Sequence, residues 1–154
     1  MNSKLVTLTS ITRFDRDFVD AIRNLFPVMQ VDECIEGTHP EMRVHGWRFH
    51  FASGFVASTQ FGATHYCCNS TPARSENLIA VEWMLTANDA EIAGWWGEHG
   101  DFYSFPEFDG KDVCGYVTPI QAAWWMQKYA WMCTPPTPRT LKLMQPAFTV
   151  DDDD

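Results

Sequence analysis

The side chains of this chain that could do chemistry gather in one stretch, FASGFVASTQFGATHYCCN, from Phe51 to Asn69. His65 and Cys67, with His50 across a hairpin, offer three donors of the kinds that zinc takes. Their spacing argues against a metal. Structural zinc sites carry paired C-x2–4-C or H-x3–5-H spacings, whereas Cys67 and Cys68 are adjacent and on a strand would face opposite ways. The bland alternative is a strand end where Tyr66 packs back and Cys67 fills a small apolar gap. A second fragment, His39-Pro40-Glu41, matches half of the zinc deaminase signature, but the P-C-x-x-C half is missing. Cys34 and Cys114 sit beside carboxylates, which disfavour a reactive thiolate, and Cys133 reads as packing after an aromatic helix. Asp109-Gly110-Lys111-Asp112 is too short for a calcium loop. No G-x-S-x-G, phosphate loop or dinucleotide fingerprint occurs. The expectation is therefore a protein with no catalytic residue, no metal and no cofactor. A small metal-binding protein or enzyme using His50, His65 and Cys67 stands as the alternative.

Charge points elsewhere. The net charge is −9 over 154 residues, and it is unevenly spread. Residues 76–138 hold Glu76, Glu82, Asp89, Glu91, Glu98, Asp101, Glu107, Asp109 and Asp112 against only Lys111 and Lys128. That balance excludes ordinary binding to phosphate backbones, which needs a basic face. Between Asp89 and Asp112 the acids alternate with Trp95, Trp96, Phe102, Tyr103, Phe105 and Phe108. Carboxylates rarely bury unpaired, so the segment is expected to present its acids over a platform of rings. Aromatic anchors with a negative rim suit a basic protein partner. The partner-binding residues expected on this basis are Asp89, Glu91, Trp95, Trp96, Glu98, Asp101, Glu107, Asp109 and Asp112.

The elements that must position these residues follow from periodicity. Thr12 and Asp15 resemble a capping box ahead of the stripe Ile11, Phe14, Phe18, Ile22 and Leu25, a helix that Pro27 stops. A short segment follows near Val31–Ile35. Trp47, Phe49 and Phe51 then alternate with Arg48 and His50, Ala52-Ser53-Gly54 turns, and Phe55 to Phe61 alternate back. A third strand is expected at Ile79–Leu85, ended by Asn88-Asp89, and a short one near Val113–Val117. Residues 89–112 show no clean period and read as a long loop. Thr118, Pro119 and Gln121 begin a C-terminal helix that runs to about Met132, apolar around most of its circumference. These elements make an α+β protein: a small antiparallel sheet packed against an N-terminal and a C-terminal helix. It forms one domain, 1–150, with an acidic tail at 151–154. No apolar run is long enough to span a bilayer or serve as a signal peptide, and five cysteines fit a reduced compartment. A cytoplasmic protein without membrane contact is expected.

The segment VASTQFGATHYCCN, followed by the strand IAVEWML, resembles a loose set of short proteins encoded by tailed bacteriophages. Gln60, Phe61, Gly62, Tyr66, Cys67 and Asn69 carry the resemblance. It implies an origin rather than an activity: an accessory phage protein working in the bacterial host cytoplasm. Joined to the acidic segment, this leads to the expectation of an anti-CRISPR or similar anti-defence inhibitor, or an inhibitor of a host polymerase. Such a protein would occupy a basic surface of a host nucleic-acid-handling or defence complex and imitate nucleic acid without binding it. It would act as a monomer or homodimer. A virion or assembly component, pairing through the Ala122–Met132 helix, is the remaining alternative.

Overall fold

The computed structural model of the chain describes residues 11–36, 44–62, 87–98 and 100–150. Its architecture is α+β. A five-stranded antiparallel sheet in the simple meander order β1-β2-β3-β4-β5 carries an N-terminal helix and C-terminal helices.

Helix α1 spans Arg16–Leu25. Its cap is Asp15, whose Oδ1 accepts from the Phe18 N–H at 3.0 Å, so the Thr12 box expected from spacing does not form. The reason lies in Phe14, whose backbone pairs with Ala87 in an isolated antiparallel bridge and is therefore extended. Ile11 and Phe14 still reach the core, from that extended lead-in rather than from a helical stripe. Val28–Glu36 forms β1, longer than the segment expected there, and pairs with β2, Val44–Phe51. The predicted hairpin is present: β2 turns at 52–54 into β3, Phe55–Gly62, with Phe49 opposite Ala57 and Trp47 opposite Thr59. Gly54, at φ +95°, supplies the left-handed residue of that turn.

The main correction concerns 89–112. Ala90–Trp96 is not loop but strand β4, paired with β3 so that Trp96 lies opposite Phe55 and Trp95 opposite Val56. The pairing sends Ile92, Gly94 and Trp96 toward the helices, and Glu91, Ala93 and Trp95 to the outer face. Gly94 is required there by a close approach. A Cβ at this position would stand 2.8 Å from Trp125, 2.9 Å from Phe55 and 3.0 Å from Phe105. The short strand expected near Val113–Val117 is present as β5, Cys114–Val117, and it pairs on the far side of β4. The expected strand at Ile79–Leu85 lies outside the described residues.

Helix α2, Pro119–Tyr129, starts with the complete capping box read from the sequence. Thr118 Oγ1 accepts from the Gln121 N–H, and the Gln121 side chain accepts from the Thr118 N–H. Its apolar circumference is used inward: Ala122, Ala123, Trp125, Met126 and Tyr129 are buried. The rings of Trp125 and Tyr129 pack about Phe55 and Phe105, with centroids 4.6 to 6.1 Å apart. Of the Ala122–Met132 stretch named for an assembly component, Trp124 on the helix and Trp131 just past its end keep exposed indoles. A short helix not foreseen from sequence, α3, spans Pro138–Leu143 under a Thr137 cap. No helix among the described residues is long and apolar enough to cross a membrane.

Candidate partner-binding surface

The nine residues expected to meet a partner divide between surface and interior. Strand alternation sends Trp95 and Trp96 to opposite faces of the sheet, so they cannot act as paired anchors. Trp95 lies on the outer face and is 9% exposed. Its ring is stacked on Phe102 at 5.2 Å, and the Arg48 guanidinium stands 5.8 Å from the ring centre. Trp96 faces the helices, sits edge-on to Tyr103 at 4.9 Å, and donates its Nε1–H to the Met132 carbonyl at 2.8 Å. Both indoles pack against other rings, and the most exposed ring of this segment is Phe102, half exposed on its loop.

Two carboxylates expected outside are inside. Asp89 is 8% exposed at the foot of β4. Glu107, in the 3-10 turn Pro106–Phe108, is 5% exposed and is an internal tie. Its carboxylate receives the Lys128 ammonium at 3.3 Å, the Tyr129 hydroxyl at 3.2 Å and the Ala147 N–H at 3.0 Å. Lys128 also donates to the Gln145 carbonyl. One buried charge thus joins the 3-10 turn, α2 and the segment that follows α3. Its charge is compensated and its acceptor positions are filled, which is what makes burial of a carboxylate tolerable. The same arrangement holds the Tyr129 hydroxyl above its ordinary pKa, first through burial and then through the neighbouring carboxylate. Glu91 is half-buried on the outer face, opposite Gln60.

The remaining four acids, Glu98, Asp101, Asp109 and Asp112, are exposed. None of them forms an ion pair with a described residue. They are carried by the connections that lead from β4 to β5. Asp109 takes a left-handed conformation (φ 51°) ahead of Gly110 (φ 79°), a tight turn that sets its side chain at the surface.

One of these acids, Asp101, lines an open groove of about 890 Å3 between the 100–106 stretch and the 135–144 segment. Trp96, Tyr103, Phe105, Pro138, Leu141 and Met144 give it apolar walls, and Asp101 and Lys142 bring opposite charges to it. Both walls are held. The Tyr103 N–H donates to the Gly94 carbonyl, while the second wall is anchored just past its end, where Lys128 donates to Gln145 and Glu107 accepts from Ala147. The sequence hinted at the first wall through its rings. Nothing in it marked the second, because Leu141 and Met144 carry no pattern of their own.

The residues of the metal alternative are placed only in part. His65 and Cys67 lie outside the described residues, as do His39 and Glu41. His50 lies on the outer face of β2 with Nε2 2.7 Å from Asp32 Oδ2. The Gln30 amide also donates to Asp32, at 2.6 Å. This contact first and His50 second, with Arg48 nearby, hold Asp32 below its ordinary pKa. Cys34 is half-buried on β1, Cys114 buried on β5, and Cys133 exposed after α2. No three His, Cys, Asp or Glu among the described residues are grouped so as to hold a metal ion. Compared with protein-family models, curated proteins and solved structures, the chain finds no match in any of the three.

Proposed function

We propose that this protein is an acidic interaction protein that occupies the basic surface of a host nucleic-acid-handling or defence complex and so inhibits it. One observation carries the reading. Glu98, Asp101, Asp109 and Asp112 are exposed and form no ion pair with a described residue, and Asp101 lines a groove walled by rings. Unpaired carboxylates with few cations among them steer a basic partner and fix its orientation, and adjoining apolar walls supply buried contact. A basic groove evolved for phosphates meets a comparable density of negative charge in such a surface. Glu107 and Asp89 take no part, Trp95 acts beneath the surface, and Trp96 contributes only as part of the groove wall.

The test replaces the four exposed acids together by lysine. Wild type and variant are used to capture proteins from a bacterial lysate at about 50 and about 500 mM salt, and the captured partner is challenged with duplex DNA. The expected result is a basic partner retained by wild type at low salt, released by high salt and by DNA, and lost on charge reversal. An unchanged set of retained proteins after charge reversal refutes the reading.

A further inference from the structure

We propose that the groove between the 100–106 stretch and the 135–144 segment receives an extended peptide segment of the partner, one that alternates apolar residues with an arginine or lysine. This rests on the interaction reading above and specifies what the partner presents. The volume, about 890 Å3, falls inside the ~300–1,000 Å3 of built ligand sites, and the groove is open to solvent, which admits a segment of chain as an enclosed cavity would not. Its walls offer aromatic and proline surface, the lining that binds extended, proline-compatible segments in many peptide-binding domains.

Charge selects among such segments. Asp101 lines the groove, is exposed and has no partner among the described residues, and Asp109 adjoins the lining Gly110. A guanidinium seated on Asp101 keeps its other donors free for water or for Asp109. Lys142, on the opposite wall, repels a second basic residue there and fixes the direction in which the segment lies. The walls are held in advance by the Tyr103-to-Gly94 hydrogen bond and the Glu107 tie, so little ordering remains to be done on binding.

Ser104 lines the groove and is exposed, so Ser104→Trp fills the groove without changing charge or disturbing the core. A random nonapeptide library displayed on yeast is selected on the wild-type protein, and enriched peptides are measured against wild type, Ser104→Trp and Asp101→Asn. The expected peptides carry an arginine or lysine flanked by leucine, proline or aromatic residues. Ser104→Trp weakens them by tenfold or more, and Asp101→Asn by about fivefold to tenfold. Unchanged thermal melting of Ser104→Trp establishes that the loss is local. Enriched peptides that lack a basic residue, or that bind both variants as well as wild type, overturn the proposal, as does a selection with no enrichment. Failure here leaves the interaction reading intact if charge reversal still abolishes partner capture. Failure of charge reversal removes that reading whatever the peptides do.

Discussion

Replacing Glu107 by alanine removes an acceptor shared by Lys128, Tyr129 and Ala147. The Tyr129 hydroxyl is fully buried and has no other acceptor among the described residues, so it alone costs about 1–3 kcal/mol when left unsatisfied. Lys128 keeps the Gln145 carbonyl and is one-fifth exposed, so its loss is softened rather than complete. The Ala147 N–H loses its contact, and a small void replaces the carboxylate. Together these place Glu107→Ala at about 3–5 kcal/mol, the usual cost of breaking a buried charge pair from one side. That is a large share of the roughly 5–15 kcal/mol that holds a domain of this size. Urea unfolding followed by tryptophan emission measures it, with an unchanged slope required for the comparison to stand. Glu107→Gln, which keeps an acceptor oxygen but not the charge, should lose about half as much. Combining Glu107→Ala with Lys128→Met should cost less than the two single changes added, because neither charge is then stranded. A loss below about 1 kcal/mol for Glu107→Ala would show that the tie is incidental and that other contacts hold the C-terminal segment.

Two further outcomes follow from the packing. Gly94→Ala drives a methyl against the Trp125, Phe55 and Phe105 rings and should cost about 1–3 kcal/mol by the same unfolding measurement; a neutral result would mean that the three rings shift freely. Tyr129, raised above its ordinary pKa, gives stability that is complete below pH ~10, where folded and unfolded chains are both protonated. Above that pH the unfolded chain loses the proton first, so stability falls by about 1.4 kcal/mol per pH unit. Tyr129→Phe should remove that share of the alkaline slope, and parallel curves for the two proteins between about pH 10 and 11.5 would contradict the assignment.

What could be read in the sequence was local. The β2–β3 hairpin and the start of α2 depend on residues within a few positions of one another, and Trp47-Phe49-Phe51 and Thr118-Pro119-Gln121 announced them. Strand β4 stayed hidden because Gly94 interrupts its apolar alternation, and the reason for that glycine is a tryptophan in another element. Burial of Glu107 was equally illegible. Its partners Lys128, Tyr129 and Ala147 lie 21, 22 and 40 residues further on, and a carboxylate within an acidic run looks solvated until they are placed. The start of α1 shows the same limit, since Phe14 is drawn out of the helix by Ala87. Composition set all seven acids from Asp89 to Asp112 at the surface alike and could not separate the four exposed ones from the buried Asp89 and Glu107.

The reach of Glu107 to Ala147, with Phe148 buried just beyond, makes the stretch after α3 a seal on the interior rather than a loose strap. A protease cut between α3 and Ala147 would leave a charged side chain facing an unsealed cleft, so resistance to cleavage there reports directly on whether that seal is closed.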